Sequence, residues 1–495
     1  MCGIVGIISN QPVCGDLEAA LVALEHRGRD STGIIGFDTK NNKFGQPIRG
    51  AGSSSEVFRG KGMGELPYTL AIGHNRYATI GNNLENDAQP LLIQNPGIAM
   101  AHNGQIANYL SIREQLDGTY SFLTGCDVEA LMLAFAENIK SCNNGHSGKE
   151  YFEKTIIPAM AMTYGAQGGI KVIGAYSAVA IIAGKGLLAF KDPHGIRPLG
   201  LAKRTSEGKV EYAFASETTA FHYLRGFHEM RELKPGEVIF IDLNLNLHSS
   251  TLLNLGEKSC PFESVYFAQV DSNLRGEQVY DARTKLGFEI SKVYSHMKDR
   301  VDVITPIPKS PIPASIALAN TWDKEYGGIV ARPSHSPVRA FQKEEGARGT
   351  SIDGKFLFIK SHIKGKRVGV VDDSIVRGDT SRAIVARLYS LGAKEVHMFV
   401  TYPPFIGICP GGIDIAEYDE LLLKENSPEA IEEARKTISA TTLNYLPIES
   451  VLEAVNLCPK TACLGCTMGQ YPFDMSDYQR FQKLRVSERE MMLTQ

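Results

Sequence analysis

The chain has 495 residues, 43% of them hydrophobic and 22% charged, with a formal net charge of -3. That length is too great for one ordinary core and calls for two large domains, with or without a small third. The composition is that of a soluble globular protein, and the near-neutral charge argues against sequence-independent attraction to nucleic acid. A membrane span needs roughly 20 apolar residues. The most apolar stretch, Gly174 to Phe190, contains Lys185 and several glycines and reads instead as buried strand. The start shows no basic segment followed by a long apolar run, so a cytoplasmic location is expected.

At the N-terminus, Cys2 is followed by Gly3. Its small side chain favours removal of Met1, which would leave Cys2 with a free amine. A thiol and an α-amino group of pKa about 8 on one residue supply nucleophile and general base together. Cys2 alone could equally be a small apolar start to the first strand. Up to about residue 242 the pattern is short apolar strands between glycine-rich turns: Ile4 to Ile8, Leu70 to Gly73, Ile98 to Ala101, Tyr176 to Ile182 and Glu237 to Ile241. Helical periodicity runs over Asp16 to Glu25 and Asp127 to Ile139. Three element ends carry Arg or Asn beside Gly: His26-Arg27-Gly28-Arg29-Asp30-Ser31, His74-Asn75-Arg76-Tyr77 after Gly73, and His102-Asn103-Gly104. A thiolate amide hydrolase needs an oxyanion hole, a carboxylate clamp and an ammonium anchor. Asn103 with the Gly104 N–H, Arg76 and Asp127 can supply them in that order. Taken singly, an Asn-Gly turn or a surface arginine is unremarkable; the combination is not.

Leu243 to Phe262 reads as connection. From residue 277 the texture becomes alternating helix and strand: helix Val279 to Lys298, strand Val301 to Thr305, strand Arg367 to Val371, helix Thr380 to Leu391, strand Glu395 to Tyr402. This alternation suggests a doubly wound parallel sheet. The expected organisation is a first domain over 2–242, a linker with a connecting strand over 243–276, a second domain over 277–471 and a polar tail over 472–495. Arg367 to Ser381 is a strand, an acid pair, a glycine turn and a helix start. Asp372 and Asp373 can bind vicinal ribose hydroxyls, and the N–H groups of the turn through Ser374, Arg377, Gly378, Asp379, Thr380 and Ser381 can hold a 5′-phosphate.

The nine cysteines are an odd number, a poor fit to a disulfide framework. Cys463-Leu464-Gly465-Cys466 alone could be a zinc half-site, a redox pair or chance. Cys14, Cys126, Cys142 and Cys458 have no chemical context and read as structural or incidental.

Met-Cys-Gly-Ile-Val-Gly, His26 to Asp30, His74 to Gly81, Ala101 to Gly104, Lys191-Asp192-Pro193-His194-Gly195-Ile196-Arg197-Pro198-Leu199 and Ala215-Ser216-Glu217 resemble the class II glutamine amidotransferases. Those are N-terminal-nucleophile hydrolases with a four-layer αββα fold. The resemblance implies hydrolysis of glutamine through a thioester on Cys2, with Arg27, Gly28, Arg76 and Asp127 around the substrate. The Val371 to Ser381 segment resembles type I phosphoribosyltransferases, and its Asp-Asp-Ser-Ile-Val-Arg-Gly form resembles the amidophosphoribosyltransferase family. Members of that family convert phosphoribosyl pyrophosphate and glutamine to 5-phosphoribosylamine, at the start of de novo purine synthesis. It implies ammonia passing through the interior, magnesium at Ser310, Asp372 and Asp373, a homo-oligomer (dimer or tetramer), and no nucleic-acid or membrane partner.

One branch of the family carries a four-iron four-sulfur cluster, and Cys260, Cys409, Cys463 and Cys466 match its ligand positions; zinc on the same four is the alternative. Departures from the pattern are Asp379 for a threonine, Lys309 for an aspartate beside Ser310, and the stretch Gln342 to Phe356 after Arg339-Ala340-Phe341, where a basic run is expected in the closing loop. They leave open a class II amidotransferase with another ammonia acceptor, or an impaired homologue acting as a phosphoribosyl-ligand sensor or partner subunit.

Overall fold

In the computed structural model, the residues described are 1–78, 84–142, 145–331, 352–415 and 417–483. The closing-loop segment Arg339 to Thr350 and the end of the tail lie outside them. The first strand, Gly3–Ile8, is apolar without alternation because both its faces are covered. It runs antiparallel between Lys209–Ala215 and Leu70–Arg76 in an eight-stranded sheet. A second, six-stranded antiparallel sheet contains Ile98–Ile106, Gly174–Ile182, Gly186–Lys191 and Glu237–Asp242. The two sheets face each other across a core of Ile4, Ile35, Ile72, Ala101, Val179, Ile181, Leu187 and Ile239. Each such aliphatic side chain contributes on the order of 2 kcal/mol by leaving water.

Outside the first sheet, helix Cys14–Ala23 packs Leu17 and Leu21 on Val5 and Ala71. It lies so close that a Cβ on Gly73 would meet Leu21 Cδ1 at 2.6 Å. Outside the second sheet, helices Asp127–Lys140 and Ile157–Tyr164 bury Leu131, Phe135 and Met160 against Tyr176 and Phe190. The layers are therefore helix, sheet, sheet, helix. The 174–190 stretch is a hairpin instead of one buried strand: Lys185 and the glycines form its turn, with Gly184 at φ +66. Leu247–Thr251, within the segment read as connection, pairs with Glu237–Asp242 and adds an outer strand to the second sheet.

The C-terminal part is a five-stranded parallel sheet in the order Glu325–Tyr326, Val303–Pro306, Arg367–Asp372, Glu395–Val400 and Thr442–Tyr445. Helices cover both faces. Val279–Val293 and Ile312–Trp322 pack Leu286 and Leu318 against Ile304 and Phe399 on one; Asp379–Ser390 and Pro428–Ile438 pack Ile384 and Ile438 on Val370 and Met398 on the other. The first of these helices ends at Val293, five residues before the expected Lys298, and continues as the tighter turn Ser295–Arg300. At its end the Tyr294 N–H still donates to the Ile290 carbonyl at 3.0 Å, while the Tyr294 hydroxyl donates to the Tyr445 carbonyl of the last strand. A helical stretch at 476–483 brings Tyr478, 2% exposed, against Ala107 and Ile408 of the two halves. No helix among the described residues is long and apolar enough to cross a membrane.

Candidate active sites

The register of the first sheet sets Gly3 opposite Asn75, so Cys2 lies at the strand end beside Arg76. Its backbone nitrogen, the amine of the chain once Met1 is gone, is 3.2 Å from Asn103 Oδ1. Its carbonyl accepts from Arg27 Nε at 2.7 Å. Its sulfur is 3.7 Å from the Tyr77 carbonyl oxygen. Asn103 has no exposed surface, and its Nδ2 is a buried donor with no partner among the described residues. A buried unpaired donor costs free energy unless something occupies it. Gly104 has φ +139, and a Cβ there would sit 1.9 Å from the Ala175 carbonyl oxygen, so only glycine fits. Gly28 is similarly excluded from bearing a side chain, since its Cβ would lie 2.4 Å from the Arg76 carbonyl carbon. The donor-rich turn and the strand end are thereby locked together.

Arg76 is buried and 3.5 Å from Asp87. Asp127, the first residue of its helix, is likewise buried; its Oδ2 accepts from the Ile106 N–H at 2.9 Å and lies 3.3 Å from His102 Nε2. Burial pushes its carboxyl up, but the His102 charge and hydrogen bond, the Ile106 N–H and the Arg76 charge outweigh it and hold the group below the usual carboxylate range. Asp127 is thus an anion at neutral pH. The neighbouring Cys126 thiol is pushed up to about 12 by burial, then by the Asp127 charge, so it is no rival nucleophile. Met1 itself is 2% exposed and packs with Ala175, Ile196, Cys260 and Cys409.

In the C-terminal sheet, Asp372 ends the strand Arg367–Asp372, and Asp373 follows at its carboxyl end. Ser310 Oγ donates to Asp373 Oδ2 at 2.8 Å, and Ser374 Oγ to Asp373 Oδ1 at 2.8 Å. The two loops singled out by sequence therefore meet. Burial raises both carboxyls above their ordinary value; the Asp373 charge adds to the rise at Asp372, while the two serines and the field of Arg283 temper it at Asp373. Gly378 stands at φ +84 as N-cap of helix Asp379–Ser390. Its carbonyl accepts from Arg382 N at 2.8 Å. The Asp379 side chain is 73% exposed and pairs with Arg382 at 2.8 Å, so it faces away from the loop interior. Arg377 pairs with Glu420, Ser381 is buried, and Thr380 and Lys309 are exposed.

Cys260, Cys409, Cys463 and Cys466 line one small cavity with Arg197, Gly411 and Tyr471. Arg197 Nη2 is 4.0 Å from Cys409 Sγ. Among the described residues no three His, Cys, Asp or Glu side chains are grouped to hold a single ion. Arg197, Glu217, Glu263, Arg283 and His102 were not assigned roles by sequence. The first two and His102 stood inside quoted motifs, but nothing in the order of residues showed what each would touch.

A family model described as a glutamine amidotransferase domain matches residues 74–223. The amidophosphoribosyltransferase of Methanothermobacter thermautotrophicus is 33% identical over 495 residues, covering 99% of this chain and 98% of that protein. The Escherichia coli K12 amidophosphoribosyltransferase is 34% identical over 464 residues, 92% of this chain and 88% of that one. Among solved structures, the glutamine phosphoribosylpyrophosphate amidotransferase from B. subtilis complexed with ADP and GMP superposes with a TM-score of 0.80 at 30% identity, covering 96% and 98% of the two chains. The fold is that of an N-terminal-nucleophile glutamine amidotransferase domain joined to a phosphoribosyltransferase domain. The chain belongs to the amidophosphoribosyltransferase family, the enzymes of the first step of purine biosynthesis. The sensor or partner-subunit reading is not favoured by these findings.

Proposed function

We propose that Cys2, freed of Met1, is the nucleophile of a glutaminase whose ammonia displaces pyrophosphate from phosphoribosyl pyrophosphate to give 5-phosphoribosylamine. The observation that carries this reading is the Cys2 nitrogen 3.2 Å from Asn103 Oδ1, with the Asn103 Nδ2 donor buried beside it and unpaired among the described residues. In the mature chain the Cys2 amine takes the thiol proton as Sγ attacks the carboxamide carbon. Asn103 Nδ2 and the Gly104 N–H hold the oxyanion. The amine then gives its proton to the departing ammonia, and water hydrolyses the thioester to glutamate. The Cys2 nitrogen lies in a buried place, since both Met1 and Cys2 are buried, and burial favours the uncharged form of an amine, the form that can take a proton. Arg76 clamps the α-carboxylate and Asp127 anchors the α-ammonium of glutamine; Arg27 and Gly28 shape the pocket.

Ammonia passes to the second site through the interior; at the surface Tyr77, whose carbonyl oxygen is 3.7 Å from the Cys2 sulfur, donates its hydroxyl to Asp414 at 3.4 Å and ties the two halves together beside the thiol. At the second site Asp372 and Asp373 hold the ribose hydroxyls. Ser374, Arg377, Gly378, Asp379, Thr380 and Ser381 form the phosphate turn, Asp379 through its backbone alone. Two buried carboxylates with raised pKa values beside Ser310 are a donor set that suits magnesium, which when bound neutralises the pyrophosphate. The four thiols that line one cavity meet the ligand count of a four-iron four-sulfur cluster, with zinc on the same four as the alternative. Such a cluster would staple the linker, the parallel sheet and the tail. A cytoplasmic homo-oligomer, dimer or tetramer, belongs to this reading; the exposed Tyr280, Phe288 and Val293 on one helix are apolar surface that a subunit contact would cover. The domain limits proposed are those read from sequence, with Leu247–Thr251 counted in the first domain's sheet.

The test is Cys2→Ala assayed with each ammonia source. Pyrophosphate release driven by glutamine is expected to fall at least ~1000-fold, with release driven by ammonium chloride within about twofold of wild type. Equal loss of both in a folded variant contradicts the division of labour.

A further inference from the structure

Arg27 has no exposed side-chain surface, and its fork is shared among three groups. Nε donates to the Cys2 carbonyl at 2.7 Å, Nη1 to Glu217 and to Glu263 at 3.1 Å, and Nη2 to the other Glu263 oxygen at 3.2 Å. Glu217 belongs to the same half as Arg27 and is fixed by His26 at 2.9 Å, the Gln269 N–H at 2.8 Å and Ser272 Oγ at 2.8 Å. Glu263 comes from the connecting segment, in the helical turn Glu263–Phe267, three residues after Cys260. It also accepts from Arg197 at 3.3 Å, and Arg197 Nε donates to the Gly411 carbonyl at 2.6 Å in the second half. Two guanidiniums and two carboxylates are thus buried together with their charges balanced.

The two-toothed contact matters because a guanidinium is planar: two bonds to one carboxylate set its plane, and the plane sets where Nε points. Nε points at the Cys2 carbonyl. Once Met1 is gone, Cys2 is tied to the chain only through that carbonyl carbon, and a chain end without a tether frays. We propose that Glu263 is a positioning residue for the glutamine half-reaction: it orients Arg27, which holds the terminal Cys2 so that its thiol and amine meet the substrate. The inference rests on the reading of Cys2 as nucleophile, and its rival is that Glu263 merely balances buried charge.

The test compares Glu263→Gln and Glu263→Asp in the full-length chain, measuring pyrophosphate release with glutamine and with ammonium chloride and the rate at which a glutamine-like chloroketone alkylates Cys2. Misplacing a reacting group by about 1 Å costs up to ~100-fold. Glu263→Gln is therefore expected to lower kcat with glutamine at least ~10-fold, KM for glutamine moving less than about threefold. Alkylation should slow in step with kcat, and the ammonia-dependent rate should stay within about twofold. Glu263→Asp, which keeps the charge and loses one methylene of reach, is expected to recover part of the loss. Wild-type kcat and alkylation in both variants would overturn the inference. So would equal loss of both activities, or failure of both variants to fold, since either assigns Glu263 a structural role alone. If instead Cys2→Ala retains glutamine turnover, the reading of Cys2 fails first, and the two failures are told apart.

Discussion

Asp372 and Asp373 place two carboxyls at the end of one buried strand, offset by the Asp373 N–H on Asp372 Oδ1 at 2.9 Å and, at Asp373, by two serine hydroxyls and the field of Arg283. Both carboxyls are raised in the folded chain. Between the ordinary aspartate pKa near 4 and the raised values, the folded state binds more protons than the unfolded one, so stability falls as pH rises through that window. The pair is thus a stored cost at neutral pH that a bound cation would relieve. Asp372→Asn is expected to raise Tm at pH 7.5 by about 2–4 °C without magnesium, to lose that gain as pH is lowered to about 4, and to abolish binding of phosphoribosyl pyrophosphate. Differential scanning calorimetry across pH checks it; a gain that persists undiminished at pH 4 would contradict a raised carboxyl at this position. Asp379 has no such tension, since its carboxylate faces solvent beside Arg382.

At the scale of elements, what the sequence makes legible is what is local. Gly3–Ile8 reads as a buried strand because nothing polar interrupts it, and Arg367 to Ser381 reads as strand, acid pair, turn and helix because a phosphate turn needs that order of residue types. The hairpin within 174–190 reads as buried strand without its turn because an apolar run does not show where it doubles back. The helix gives way after Val293 to the tighter turn Ser295–Arg300, a change of winding that an apolar period does not encode. Site residues divide the same way. Cys2, Asn103, Gly104, Arg76 and Asp127 stand out through their types beside glycine turns. Glu263 and Arg283 were silent because their partners come from other segments: Glu263 is separated from Arg27 by 236 residues. The Arg76–Asp87 and Asp127–His102 pairings were likewise beyond any local pattern.

Across the whole molecule, Cys2 and the cysteine-lined cavity lie where the two halves meet. Met1 packs against two of the cysteines, and Arg197 joins Cys409 to the Glu263 clamp. A cluster on the four thiols would hold that junction closed. Protein purified without oxygen is expected to contain about four irons and four sulfides per chain, and Cys409→Ser to lose most of both and melt several degrees lower. One zinc per chain and no sulfide would replace the cluster by a single-ion site. The claim on which the rest depends is that the mature chain begins at Cys2 and attacks glutamine with that thiol. It is tested most directly by treating the active enzyme with a glutamine-like chloroketone and measuring intact and peptide masses. One adduct is expected, on Cys2, in a chain lacking Met1, formed in proportion to lost glutamine turnover while ammonia-dependent turnover persists. An adduct on Cys126 or elsewhere, or full glutamine activity in a chain that still carries Met1, would contradict it.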